Sequence, residues 1–191
     1  MYINWKSREL DIKIVYYGPP RSGKTTNLEQ IHLRVAKKQH SKLLSLSTEG
    51  ERTLFFDFLP LEIKECRGLK PRINLYTVPG QSIYAATRRV VLEEVDGIVF
   101  VADSQHSRYY ENINAMYEMN EHLRALGYHP RDIPLVLQFN KRDLPSVTPA
   151  ALLYRGLAPL DNTPYYESVA TQGLQVTTTL QRAIKLVLAK V

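Results

Sequence analysis

The chain has 191 residues, of which 44% are hydrophobic and 23% charged, a composition typical of one globular domain with a substantial core. A net charge of +6 fits either an anionic partner or a solvated basic surface, and the scattering of the basic residues favours the second. The single cysteine, Cys66, excludes an intrachain disulfide. Because there is neither a signal-peptide pattern nor an apolar run of membrane-spanning length, we expect a cytoplasmic protein.

The first half of the chain predicts strands arranged around one helix. Alternating apolar residues predict a strand pair over residues 3–5 and 10–17, the first an additional strand at the sheet edge. A helix is predicted over 26–38 from its apolar spacing. Segments 54–65 and 72–78 are predicted as strands that pair antiparallel, since their connection is short. Residues 42–48 are apolar but too few to classify.

The second half alternates strands with helices. Together the segments predict one α/β domain over residues 1–191, with a mostly parallel six-stranded sheet, helices on both faces and the extra N-terminal strand. Thr148 and Pro149 are predicted to begin a helix, as its N-cap and its first residue. The other predicted elements are helices over 84–94, 109–126 and 174–191, and strands over 97–102, 133–139 and 164–170.

One stretch matches the phosphate-loop pattern G-x-x-x-x-G-K-[ST], with a predicted strand before it and a helix after it. Consecutive backbone N–H groups backed by a helix N-terminus form a concave site for phosphate. Lys24 can reach the β- and γ-phosphates, and the Thr25 hydroxyl is placed to ligate Mg²⁺. An ordinary glycine-containing turn is the alternative, which this context disfavours. The predicted nucleotide-binding residues here are Gly18, Pro19, Pro20, Arg21, Ser22, Gly23, Lys24, Thr25 and Thr26.

A second polar cluster, Asn140-Lys141-Arg142-Asp143, follows a predicted buried strand, where ligands bind in such sheets. The Asp143 carboxylate can accept from both the ring N–H and the exocyclic amine of guanine. Adenine lacks this donor pair and would leave a buried charge unpaired, which disfavours an ATPase or kinase. Asn140 can bridge to the phosphate loop, and the Lys141 stem can lie across the base. A solvated turn at a helix start is the alternative.

The order of these motifs resembles the Ras-like small GTPases, and most closely their bacterial gliding-motility and polarity branch, the MglA family. The resemblance covers nearly the whole chain. It rests on the two motifs above, the extra N-terminal strand, the lead-in IVYYGP at 14–19, ERTLFFDFLP at 51–60, YTVPGQ at 76–81 and the nucleotide-facing triplet Val169-Ala170-Thr171.

The resemblance implies a GTP/GDP switch that hydrolyses GTP slowly with Mg²⁺. Thr53 would ligate Mg²⁺ and sense the γ-phosphate, which the Gly80 N–H would contact. Gln81 would orient the attacking water, and Arg52 would neutralise charge in the transition state as an arginine supplied in cis. Lys24 completes the implied catalytic set, and the N–H of Ala170 would read the guanine oxygen.

Two residues depart from the common Ras-like pattern. Thr77 stands where most relatives hold Mg²⁺ through an aspartate, although the MglA family also has threonine there, and Asp57 is a candidate replacement. Pro20 stands where relatives usually have glycine. Proline lacks an N–H and adds bulk close to where Gln81 and the arginine must approach, which predicts slower hydrolysis. The alternative function is therefore a nucleotide-gated binding module with little or no hydrolysis.

The resemblance also implies a partner and a setting. A Roadblock/LC7-type protein similar to MglB would activate hydrolysis or promote exchange, and the downstream effectors are open. The implied role is cell polarity or motility, with recruitment to cell poles or the inner membrane surface by partners. No nucleic acid is expected among the partners.

Overall fold

The computed structural model describes residues 2–35, 44–46, 56–62, 68–79, 85–158 and 160–190. Within these ranges, eight strands form one sheet that is flanked by five α-helices. In chain order the elements are β1 (Tyr2–Asn4), β2 (Glu9–Tyr17), α1 (Lys24–Val35), β3 (Leu44–Leu46), β4 (Phe56–Glu62), β5 (Lys70–Thr77), α2 (Ala85–Leu92), β6 (Gly97–Asp103), α3 (Tyr109–Ala125), β7 (Leu135–Asn140), α4 (Ala150–Leu157), β8 (Tyr165–Glu167) and α5 (Val176–Leu188).

The sheet has the strand order β3-β4-β5-β2-β6-β7-β8. The five strands from β5 to β8 run parallel, while β3 and β4 form an antiparallel extension on one side. The carboxyl ends of β2, β6, β7 and β8 therefore meet at one edge of the sheet, where α/β proteins bind their ligands.

Strand β1 lies beside the first part of β2, with Ile3 opposite Leu10 in antiparallel register. Strand β6 pairs with the later part of the same edge of β2, from Ile14 to Tyr17. The N-terminal hairpin thus extends the sheet where β6 does not reach.

Alternate side chains of β2 point to opposite faces of the sheet and contribute to the hydrophobic core on each face. Ile12, Ile14 and Tyr16 face the side covered by α1 and α5, whereas Val15 and Tyr17 face the side covered by α2, α3 and α4. All five side chains are fully buried. The strand that precedes the phosphate-loop motif is therefore held by packing on both faces.

The predicted α/β fold class, with its mostly parallel sheet and additional N-terminal strand, is confirmed. The sheet is larger than predicted because the segment too short to classify contains β3. Strand β8 is shorter than predicted, since the chain leaves the ladder after Glu167 and enters a 3₁₀ turn at Ala170–Gln172.

The predicted start of the helix near Thr148 is wrong by one residue. Helix α4 begins at Ala150, and Pro149 is its N-cap rather than its first residue. Thr148 is buried and donates its backbone N–H to the Ser104 carbonyl at 2.7 Å, so it is used in a loop contact instead of a cap. No helix among the described residues is long and apolar enough to cross a membrane.

Candidate functional site

Three loops lie side by side at the carboxyl edge of the sheet. We call residues 18–23, between β2 and α1, the phosphate loop, and residues 140–143, after β7, the base loop. The third loop, residues 168–172, follows β8. Because β2, β6 and β7 are neighbours, the two predicted motifs are brought to the same place by the sheet order.

Two glycines of the phosphate loop adopt backbone conformations that residues with a Cβ rarely adopt. Gly18 has a φ of +146°, and a Cβ there would lie 2.2 Å from the Val101 carbonyl oxygen. Gly23 has a φ of +100°, and a Cβ there would lie 2.3 Å from Nδ2 of Asn140. The glycines of the motif are thus required both by conformation and by close approach to neighbouring strands.

The carbonyls at the start of the phosphate loop accept from cations. The ammonium of Lys24, whose side chain is almost fully buried, donates to the carbonyls of Gly18 at 3.0 Å and Pro19 at 2.7 Å. The guanidinium of Arg108 donates to the Pro20 carbonyl at 2.9 Å. C=O and N–H point in opposite directions across a trans peptide, so the held Pro20 carbonyl turns the Arg21 N–H to the other side of the loop. The peptides that follow Gly18 and Pro19 carry no N–H because prolines come next, so the N–H groups that can bind an anion begin at Arg21.

Asn140 joins all three loops through one buried side chain. Its Nδ2 donates to the Ser22 carbonyl at 2.8 Å, which is the predicted bridge to the phosphate loop. Its Oδ1 accepts from the Ser168 hydroxyl at 3.2 Å and from the Ala170 N–H at 2.9 Å. The relative position of the loops is therefore fixed by hydrogen bonds at a residue 2% exposed.

The Ala170 N–H was expected to read a guanine oxygen. In this structure it donates to Asn140, so a contact with a base would need a bifurcated bond or a small rotation of the peptide. Within the third loop, Val169 is buried, whereas Thr171 is exposed. The role of all three residues in base binding stays a prediction.

The base loop is held from beneath by a buried carboxylate. Lys141 has a φ of +66°, and its ammonium lies 2.6 Å from Oδ2 of Asp103, the last residue of β6. The backbone of Asp103 is fixed in turn by Asn112 of α3, which accepts from its N–H at 2.9 Å and donates to its carbonyl at 2.8 Å. Arg142 pairs with Glu167 at 2.7 Å.

Asp143 is exposed at the open side of this arrangement. A carboxylate in that position can accept from a ligand that arrives from solvent. Its placement two residues after Lys141 leaves the lysine stem and the carboxylate on one loop, as the purine-binding hypothesis requires.

Some predicted site residues cannot be placed. Arg52, Thr53, Gly80 and Gln81 lie outside the described residues, and so does the side chain of Asp57. The predicted catalytic set is therefore represented by Lys24 alone, and the predicted metal ligands by Thr25 alone.

The described residues fit a magnesium ion that is held largely by phosphate. They contain no group of three or more His, Cys, Asp or Glu side chains that could hold a metal by themselves. Mg²⁺ bound with a nucleotide needs only one or two protein oxygens, since phosphates and water fill the other positions. Thr25 is exposed at the second position of α1, beside the loop of N–H groups, and its hydroxyl suits this role.

A cluster of polar side chains lies between the end of β2 and helices α2 and α3. Burial raises the pKa of Tyr17, the last residue before the phosphate loop, and the nearby Arg88 guanidinium works against that shift. The Tyr17 hydroxyl lies 3.4 Å from Nδ1 of His122. Arg88 is buried and pairs with Glu118 at 2.7 Å, which joins α2 to α3. The site is thus connected to the helices on one face.

Sequence reasoning missed four polar residues that support these loops. Asp103 and Gln138 each interrupt or end an apolar run, and this was the available signal. Asn27 and Arg108 carry no comparable signal, because polar residues are common on helices and in turns. All four hydrogen-bond to a loop of the site or to a residue that does.

A central parallel sheet, a glycine-dependent phosphate loop and an Asn-Lys-x-Asp loop joined to it define the Ras-like small GTPase class. The chain is 49% identical over 189 residues to the mutual gliding-motility protein MglA of Myxococcus xanthus strain DK1622, across 99% of this chain and 96% of that protein. It is 29% identical over 153 residues to ADP-ribosylation factor-like protein 13B of Chlamydomonas reinhardtii, across 80% of this chain but 25% of that protein. No protein-family model matches the chain. The chain belongs to the MglA family.

Proposed function

We propose that the protein is a GTP/GDP-binding switch that hydrolyses GTP slowly with Mg²⁺. The observation that carries this proposal is the hydrogen bonding of Asn140, which ties the phosphate loop to the base loop at the carboxyl edge of the sheet. A single ligand that has both a polyphosphate and a purine fits two loops held at a fixed separation. The 49% identity to MglA supports the same class of ligand.

The phosphate loop binds the α-, β- and γ-phosphates through its N–H groups. The Lys24 ammonium also contacts the β- and γ-phosphates. Lys24 already lies beside two loop carbonyls, so a small movement suffices. Thr25 and Thr53 would hold Mg²⁺, which would supply positive charge beside the phosphates. Gly80 and Thr53 respond to the γ-phosphate, which orders the loops that carry them.

Base selectivity comes from Asp143, whose carboxylate accepts from the ring N–H and the amine of guanine. In Asp143→Asn the amide can instead donate to the 2-carbonyl of xanthine. We expect GDP affinity to fall by about two orders of magnitude and xanthosine diphosphate affinity to rise, since a site built to hydrogen-bond one ligand discriminates against a ligand that leaves its polar groups unpaired. Asp132→Asn, at an exposed aspartate away from the three loops, is the matched control. Retained preference for GDP in Asp143→Asn would contradict the base assignment.

Hydrolysis depends on Gln81 to orient water and on Arg52 to neutralise the transition state. Pro20 slows this step by its bulk and its missing N–H. A Roadblock/LC7-type regulator similar to MglB brings these groups into position, and the switch acts in motility or polarity. The name of the Myxococcus relative, a gliding-motility protein, supports that setting.

Phosphate release tests the proposal. Purified protein is given GTP and Mg²⁺, with and without a Roadblock/LC7-type partner, and nucleotide competition compares ATP with GTP against fluorescent GDP. We expect slow release that the partner accelerates and that Gln81→Leu abolishes, and we expect ATP not to compete. Release at the level of the buffer blank under every condition would instead favour a nucleotide-gated binding module, and displacement by ATP would overturn guanine specificity.

A further inference from the structure

A buried amide pair lies directly beneath the phosphate loop. Nδ2 of Asn27, in the first turn of α1, donates to the Gly23 carbonyl at 2.9 Å, and the same carbonyl accepts the helix bond from the Asn27 backbone N–H at 3.0 Å. Oδ1 of Asn27 accepts from Nε2 of Gln138, on β7, at 3.0 Å. Both amide side chains are fully buried. The loop carbonyl is therefore connected to a sheet strand through two side chains.

The pair continues to α5. Nε2 of Gln138 also donates to the Thr179 hydroxyl at 3.3 Å, and that hydroxyl donates to the Gln175 carbonyl at 2.7 Å. Both amide hydrogens of Gln138 are thus used, which fixes the orientation of the group. Its Oε1 is buried with no hydrogen-bond partner among the described residues.

An apolar pair of the same size would cost less in this core. A buried acceptor without a partner costs free energy, and the core cluster on this face of the sheet is largely apolar. Polar groups retained at such a cost point to a function that apolar side chains cannot supply. The function available here is to give the Gly23 carbonyl a second donor beside the helix bond from the Asn27 N–H.

The orientation of that carbonyl sets the direction of the next N–H. With the Gly23 carbonyl held towards Asn27, the Lys24 N–H of the same planar peptide points the opposite way, towards the concave face of the loop. Asn140 holds the preceding carbonyl, of Ser22, in the same manner at 2.8 Å. Gln138 and Asn140 are two residues apart on β7 and so lie on one face of the sheet. One strand therefore orients two consecutive peptides of the phosphate loop.

We propose that Asn27 and Gln138 are positioning residues for phosphate binding, which act by fixing the peptide between Gly23 and Lys24. The inference rests on the proposed function, because it assumes that the loop binds a nucleotide phosphate. The residues touch no ligand themselves; they act through the Gly23 carbonyl.

The test compares nucleotide release with stability in four variants: Asn27→Leu, Gln138→Leu, the double variant, and Val136→Ala. Val136 is the matched control, since it is fully buried on the same face of β7, two residues before Gln138, and is apolar. Release of fluorescent GDP is measured by chasing with unlabelled GDP. Stability is measured as the denaturant midpoint of nucleotide-free protein.

The single variants should release GDP about fivefold faster, the effect of one lost net hydrogen bond. Gln138→Leu should also lower the denaturant midpoint, because it leaves Oδ1 of Asn27 buried without its donor. The double variant should recover part of that stability, since both partners are then apolar, yet release GDP as fast as Asn27→Leu. Val136→Ala should lower the midpoint and leave release unchanged.

The outcomes separate two failures. Wild-type protein that binds no GDP overturns the proposed function and this inference with it. Wild-type protein that binds GDP, with a double variant that releases it at the wild-type rate, overturns only the positioning role. Release rates that follow the midpoint in all four variants, Val136→Ala included, also overturn it, because the pair would then be merely structural.

Discussion

The ammonium of Lys141 lies 2.6 Å from the carboxylate of Asp103, whose side chain is 1% exposed. This ion pair links the end of β6 to the base loop. It also accompanies a left-handed backbone at Lys141, where φ is +66°, a conformation that costs a non-glycine residue free energy. The Asp103 carboxylate further accepts from the N–H and the side-chain amide of Gln105, both at 3.1 Å. Asp103 thus organises the base loop from below.

Removing this charge should loosen the base loop. We expect Asp103→Asn to release GDP about tenfold faster, because the bond to Lys141 is charge-assisted and its carboxylate is shielded from water. Glu121→Gln is the matched control, since Glu121 pairs with Arg124 on the exposed face of α3 and surface pairs contribute little. Release kinetics of fluorescent GDP provide the measurement. Equal rates in both variants would show that the Asp103 pair does not hold the loop.

Adding one methyl group to the phosphate loop should abolish its fit. Gly23→Ala places a Cβ 2.3 Å from Nδ2 of Asn140, and we expect GDP affinity to fall by roughly two orders of magnitude, about 3 kcal/mol. Gly127→Ala is the control, because Gly127 has a φ of +83° but no described atom lies within 4 Å of the added Cβ. It should lose about 1 kcal/mol of stability and bind normally. Titration calorimetry and denaturant unfolding measure both effects, and normal GDP binding by Gly23→Ala would refute the fit.

Pro20 should limit hydrolysis rather than binding. We expect Pro20→Gly to raise the rate of GTP hydrolysis about fivefold, equivalent to roughly 1 kcal/mol of barrier. GDP affinity should change little, because the Pro20 carbonyl bond to Arg108 uses the backbone and can persist. Pro20→Ala separates the restored N–H from the added freedom of glycine. Single-turnover hydrolysis at wild-type speed in both variants would mean that proline is not the obstacle.

Stability should fall on acidification through His122. Burial lowers the pKa of His122 and the Arg88 guanidinium lowers it further, against the carboxylate of Glu118. The unfolded chain then binds a proton more readily, so the stabilisation is complete above the unfolded pKa of about 6.5 and is lost as the pH falls. His122→Gln should therefore flatten the decline in unfolding free energy between about pH 7.5 and pH 5.5. Denaturant titrations at several pH values measure this, with His106→Gln, in an exposed turn, as control. An unchanged slope in His122→Gln would contradict the assignment.

Local patterns predicted the elements that position the site. The alternation in β2 and the continuous apolar runs of β6 and β7 follow directly from burial on one or two faces, and they placed both motifs at one sheet edge. The bridge from Asn140 to the phosphate loop followed from the parallel order of these strands.

Contacts between distant segments could not be predicted in this way. The bond from the Ala170 N–H to Asn140 joins two segments 30 positions apart, which no local pattern relates, and the predicted role of Ala170 in base binding stays a prediction. Thr148 was assigned as a helix cap but binds Ser104, 44 positions earlier in the chain. The support from Asn27 and Gln138 depends on two residues 111 positions apart, which no local periodicity relates.

The N-terminal hairpin has a consequence for association between molecules. On one edge, strand β2 pairs with β1 along Glu9–Asp11 and with β6 from Ile14. This edge of β2 is therefore hydrogen-bonded along most of its length. Without Tyr2–Asn4, the opened edge would lie next to a buried strand and could pair with a strand of another molecule. Strand β1 itself has only three residues, and the turn after it exposes the charged Lys6 and Arg8. A strand this short beside charged residues is a poor partner for a strand of another molecule. The hairpin therefore covers the part of β2 that β6 leaves unpaired, while β3 and β8 form the two ends of the sheet.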